Sequence, residues 1–139
     1  MELVERWQRG KLEPLSEEEC RALLAAQNHG RLAYNDDQGP AITPVSYAVS
    51  DGAILVATSA TTQLARHASD AVVAFEVEDI DPAQRSGWSV LVRGRTEVVD
   101  YTQLPSSHGS RPAPWAAGER TLYLRITPTG LSGRRLLPA

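Results

Sequence analysis

Tyr47-Ala48-Val49-Ser50-Asp51-Gly52-Ala53-Ile54-Leu55-Val56 is two mainly apolar runs separated by a two-residue turn. Aspartate and glycine both tolerate positive φ, so Asp51-Gly52 is the strongest hairpin signal in the chain and joins a strand over 41–50 to a return strand over 54–58. Upstream, a strand over 31–35 is linked to the first by the polar Asp36-Asp37-Gln38-Gly39, which makes a second hairpin. Downstream, Val73, Phe75 and Val77 alternate with Ala74, Glu76 and Glu78, the pattern of a strand over 71–78 with one apolar face. A further strand follows over 87–99, bending at Gly94, and a last one over 121–127.

Helices are few. Ser16 with Glu19 three residues later is a capping box, and Cys20, Leu23, Leu24 and Gln27 recur at helical spacing, which predicts an amphipathic helix over 16–28. Thr58-Ser59-Ala60-Thr61-Thr62 leads into a short helix over 63–68 with hydroxyl residues at its start. Pro105, Pro112 and Pro114 mark 105–118 as an irregular loop, and residues 1–14 form an N-terminal arm. The links between strands are too short for repeated βαβ crossovers, so the expected fold is mainly β: a six-stranded antiparallel barrel with peripheral helices, one domain over 1–139.

The composition narrows the function. A chain of 139 residues, 42% hydrophobic and 22% charged, is that of one globular domain. No apolar run approaches the ~18 residues of a membrane span, and the N-terminus lacks the order of a signal peptide, so a cytoplasmic protein without membrane contact is expected. A net charge of −3 offers no global attraction for nucleic acid. The single cysteine, Cys20, excludes an internal disulfide, and His29, His67 and His108 have no metal-ligand spacing, so no metal is expected. There is neither a G-x-G-x-x-G loop nor a Walker-type loop, and any nucleotide must be held by other means.

Several segments occur in an order that resembles the pyridoxamine 5'-phosphate oxidase-related proteins, an FMN-binding split-barrel family. They are Leu15-Ser16 through Cys20, Gly30-Arg31-Leu32-Ala33, Pro44-Val45-Ser46-Tyr47, Ala74-Phe75-Glu76-Val77, Gly87-Trp88-Ser89-Val90 through Gly94, and Ser132-Gly133-Arg134-Arg135. The resemblance implies a split barrel and a homodimer whose flavin grooves draw residues from both chains. It also implies an FMN phosphate beside Thr58, Ser59, Thr61, Thr62, Gln63 and Leu64, where hydroxyls and free N–H groups at a helix start suit an anion. Pro44, Val45, Ser46 and Tyr47 would line the flavin ring, with backbone groups near its redox-active edge, and Trp88 and Ser89 would pack on the cofactor or across the dimer. In the family, arginine commonly precedes that threonine and lysine commonly opens the helix; here they are Ala57 and Gln63.

Each of these residues also has a structural reading. Pro44 marks an edge or bulge, Val45 and Tyr47 pack, and Trp88 is as well suited to a core. Cys20 lies on the apolar stripe of its helix and reads as a small buried hydrophobe. Glu76, Glu78, Asp79 and Asp81 read as a solvated face, and His108 beside Ser106, Ser107 and Ser110 lacks a nucleophile-elbow context. No acid or base stands out as catalytic. The expected function is a flavin-dependent oxidoreductase acting on an unspecified small molecule, with the isoalloxazine carrying the chemistry. The alternative is a dimeric split-barrel binding or scaffold protein that has lost tight FMN binding.

Overall fold

The computed structural model describes residues 10–106, 111–112 and 121–138. Seven strands and two helices follow one another as β1 (Lys11–Pro14), α1 (Glu17–Ala25), β2 (His29–Asp36), β3 (Gly39–Ser50), β4 (Ala53–Ser59), α2 (Gln63–Ala68), β5 (Val72–Asp81), β6 (Ser86–Val99) and β7 (Thr121–Leu137). All pairings are antiparallel in the order β1-β7-β4-β3-β2-β5-β6, and β6 pairs back onto β7, so six strands close a ring. The expected barrel is therefore present. Asp51 and Gly52 hold φ of 51° and 77°, the left-handed pair that the β3–β4 hairpin needs.

Two features lie beyond the expected layout. β7 runs on to Leu137 rather than ending at 127, and all of β6 from Gly87 to Val99 pairs along it. Its other edge is shared, with β4 on residues 121–126 and β1 on residues 134–137. Between those partners the wall is split, and α1 lies across the opening: Leu15 N–H donates to Gly133 O at 2.9 Å. A Cβ on Gly133 would meet Cys20 Sγ at 2.7 Å, so only glycine lets the helix come this close. The other addition, β1, takes four residues from the expected N-terminal arm. Most of the 105–118 loop, with His108, Ser107 and Ser110, lies outside the described residues.

The inward positions of the strands, Leu32, Val45, Tyr47, Val56, Phe75, Val90 and Val92 among them, form one core with Cys20 and Leu24 of α1. The Tyr47 hydroxyl crosses it to donate to Leu24 O at 2.5 Å, and its ring meets Phe75 edge to face at 4.9 Å. Burial pushes the Tyr47 phenol well above its ordinary pKa, so it stays protonated and a donor. Burial also raises the Cys20 thiol. Helix α1 begins with the predicted capping box, Ser16 Oγ accepting from Glu19 N–H while Glu19 Oε1 accepts from Ser16 N–H, both at 3.1 Å. That backbone bond heads the causes that lower the Glu19 carboxyl.

β4 is buried on both faces. Its outward Leu55 and Ala57 form a satellite cluster with Tyr123 of the neighbouring β7 and with Val99 and Leu104 where the chain leaves β6.

Candidate functional site

The outward face of β3 next to β4 is made by Pro44 and Ser46, with Ala57 directly opposite Ser46. On the other side, Arg31 stands opposite Pro44 and His29 opposite Ser46. Alternation sends Val45 and Tyr47 inward, where they are buried, so only their backbone groups can meet a ligand. Leu64 is likewise a core side chain.

Beyond β4 the chain turns through Ser59–Thr62 into α2. Thr62 caps the helix: its Oγ1 accepts from Ala65 N–H at 3.1 Å and donates to Ser59 O at 2.8 Å. With that proton spent, the Thr58–Thr62 contact at 3.2 Å must have Thr58 as donor. Ser59 and Thr61 share a second hydroxyl pair at 3.1 Å. Of the four hydroxyl protons, only one is left over from these contacts. A phosphate, which accepts but does not donate, would meet one free hydroxyl proton and the backbone N–H groups at the start of α2, or would have to break a side-chain pair. Gln63 is exposed and uncharged there, and Ala57 is 7% exposed within the satellite cluster.

Trp88 and Ser89 lie elsewhere. Following hydrogen-bonded neighbours from β3 through β2 and β5 to β6 separates them from Pro44 by three strand spacings, roughly 14 Å. Trp88 faces inward at the barrel end and packs against the core, while Ser89 faces outward beside Glu78 and Arg134. The twelve residues singled out in the sequence thus form two patches on one protomer.

Two grooves open on the surface between these patches. One, of about 430 Å³, is lined by Pro44, His29, Arg31, Glu76, Glu78 and Ile80 among others. The other, of about 340 Å³, is lined by Trp88, Ser89, Arg134, Leu12 and Leu136 and shares Glu76, Glu78 and Ile80 with the first. Those three shared residues are successive outward positions of β5 and form a ridge. Arg31 bridges to Glu78 at 3.3 Å with both side chains open to solvent, a pair of little net stability that a ligand can displace. His29, Ile80 and Gly87 were not singled out because only strand register places them beside Pro44 and Ser89. No group of three or more His, Cys, Asp or Glu among the described residues could hold a metal ion. No helix among them is long and apolar enough to cross a membrane.

A family model described as pyridoxamine 5'-phosphate oxidase matches residues 16–135. Rv0080, an uncharacterized protein of Mycobacterium tuberculosis, is 36% identical over 129 residues, covering 88% of this chain and 84% of its own. An FAD-binding protein of Mycobacterium smegmatis superposes with a TM-score of 0.69 at 29% identity, over 90% of this chain and 98% of that one. An FAD-binding protein of Mesorhizobium loti gives 0.68 at 25% identity, over 91% and 98%.

Proposed function

The chain belongs to the pyridoxamine 5'-phosphate oxidase family, and on that premise we propose that it is a flavin-dependent oxidoreductase of the split-barrel type, working as a homodimer on a small molecule. The observation that carries the reading is the family match across the whole barrel, supported by two similar structures named for FAD binding. A bound flavin would supply hydride or electron transfer. The chain's own part is to orient it. Pro44 and Ser46, with the backbone of Val45 and Tyr47, would line the ring, and the Thr58–Leu64 turn would take the phosphate.

That turn fits a phosphate as a neutral shell. One hydroxyl proton and backbone N–H groups replace charge-assisted contacts, each of which contributes roughly 1.5–3 kcal/mol. FMN is therefore expected to bind weakly, and FAD has a second phosphate to anchor elsewhere. This same neutrality favours a second reading, a split-barrel binding or scaffold protein without a tightly held flavin.

The absorbance spectrum of the purified protein, followed by titration with FMN and with FAD, separates the two. A shifted, structured flavin band and quenched fluorescence with either ligand support the oxidoreductase. Unchanged flavin spectra at ligand concentrations of hundreds of micromolar would overturn it in favour of the second reading.

A further inference from the structure

A further pocket, of about 390 Å³, opens at the turn end of the β3–β4 hairpin, and none of its lining residues belongs to either candidate patch. Along β3 it lies four residues, roughly 14 Å, beyond Ser46. Its floor follows from strand register. Ser50 stands opposite Ala53, and Arg125 of β7 stands opposite Leu55 on one side and Glu97 on the other. The segment after β6 makes a wall. Gln103 N–H donates to Asp100 O at 2.8 Å, Gln103 Oε1 accepts from Asp100 N–H at 3.1 Å, and Pro105 O accepts from Arg111 Nε. The wall is thus held by its own hydrogen bonds, and the pocket is preformed.

Arg125 gives the pocket its chemistry. Among the described residues five arginines form ion pairs, and the Arg125 side chain, 28% exposed, is the least exposed of them. Yet it makes a single hydrogen bond, from Nη1 to Glu97 Oε1 at 2.9 Å, whereas the more exposed Arg95 makes three. Four of its five N–H groups therefore have no acceptor among the described residues. No described side-chain nitrogen is both sealed from solvent and unpaired, so the remaining guanidinium donors reach the surface where Arg125 lines the pocket. Gln103 adds to them. With Oε1 facing Asp100 N–H, its amide nitrogen is left to donate outward. Ala53, Pro105 and Pro128 supply apolar lining.

We propose that this pocket binds a small monocarboxylic acid, its carboxylate on Arg125 and the Gln103 amide and its compact apolar body against Ala53, Pro105 and Pro128. A planar guanidinium with free N–H groups matches a carboxylate two-pronged, and these are the stronger class of hydrogen bond. Charge sets the limit on the ligand. Arg125 is the one cation in the lining, the exposed Asp51 is an anion, and Glu97 shares the guanidinium. One cation beside two carboxylates accepts a monoanion and repels a phosphate dianion or a polyphosphate. The proposal does not depend on the flavin reading.

Benzoate is the probe, followed by backbone amide shifts in isotope-labelled protein without added flavin. Titration should move Ser50, Asp51, Gly52, Ala53, Gln103 and Arg125, with a Kd on the order of 1 mM, as suits so small a ligand. Benzamide, its neutral isostere, should bind roughly tenfold more weakly, the difference between a charge-assisted and a neutral hydrogen bond. Isophthalate, a dianion, should also bind more weakly than benzoate. Glu97→Gln removes the competing carboxylate from an exposed position, and should tighten benzoate about threefold while leaving benzamide unchanged. Arg125→Gln should weaken benzoate at least tenfold. Circular dichroism melts check that each variant folds, and should Arg125→Gln fail to, the exposed Glu97→Gln and Gln103→Leu decide, the latter by a severalfold loss of benzoate. Shifts confined to residues 29–31, 44–46 and 58–62 would place benzoate in the flavin patches. That result, no saturable shift at tens of millimolar, equal affinity for benzamide, or a Glu97→Gln protein that binds benzoate no more tightly would each overturn the proposal.

Discussion

Gln63 and Ala57 stand where cations are common in the family, and the structure gives them opposite prospects. Gln63 opens α2 and is exposed, so Gln63→Lys places an ammonium at the Thr58–Leu64 turn without disturbing the core. A charge-assisted hydrogen bond contributes roughly 1.5–3 kcal/mol, from which about 1–2 kcal/mol of lysine ordering must be subtracted. The net is about 1 kcal/mol, or roughly fivefold tighter FMN. Riboflavin lacks the phosphate and should gain nothing. Ala57 is 7% exposed and packed with Leu55, Val99, Leu104 and Tyr123, so Ala57→Arg forces a large charged side chain into a filled site. Overpacking alone costs roughly 1–3 kcal/mol, which lowers the melting temperature by several degrees. The double variant should then bind FMN no more tightly than Gln63→Lys. Flavin fluorescence titration at two salt concentrations, with thermal melts alongside, measures all of these, and the lysine gain should shrink at the higher salt. Equal gains for riboflavin and FMN would place the phosphate elsewhere. An Ala57→Arg protein as stable as wild type would refute the packing argument.

Tyr47→Phe removes the donor to Leu24 O within the core and should cost about 1–3 kcal/mol, seen as a lower urea midpoint at unchanged slope; an unchanged midpoint would mean that the α1 carbonyl finds another donor. Gly133→Ala puts a Cβ 2.7 Å from Cys20 Sγ and 3.0 Å from Ser89 O, and should destabilise the α1 plug by roughly 1–3 kcal/mol, measurable as faster amide exchange in residues 17–25. The Tyr47 phenol has a raised folded pKa, so the native state keeps a proton that the unfolded chain releases above pH ~10. Its contribution is complete below that pH and lost above it, with a slope approaching about 1.4 kcal/mol per pH unit, and Tyr47→Phe should melt with a shallower alkaline slope. Identical slopes would assign the alkaline loss to other groups.

The barrel was legible because its local signals agree with its global pairing. Asp51-Gly52 supplies both positive-φ residues of the hairpin, and Val73, Phe75 and Val77 all point inward as their alternation requires. The length of β7 was not legible. Pro128, Gly130 and Gly133 read as strand breakers, yet Pro128 sits beside the β6 irregularity at Arg93/Gly94, and Gly133 is kept small by the helix packed on it. β1 was missed because Lys11-Leu12-Glu13-Pro14 has little strand character and is held only by pairing with β7.

The candidate residues could be named from the sequence but not placed relative to one another, and strand order is the reason. Nothing in the local sequence says that β2 and β5 come between Pro44 and Ser89, because β2 pairs with β5 through a contact forty-five residues away in the chain, Arg31 to Glu76. Once that order is known, the division of the candidate residues follows from it. Pro44 to Tyr47 fall on β3, Trp88 and Ser89 fall on β6, and the β5 ridge of Glu76, Glu78 and Ile80 stands between them with a groove on either side. A single barrel cannot fold that ridge away, since Val73, Phe75 and Val77 on its inner side are fixed in the core.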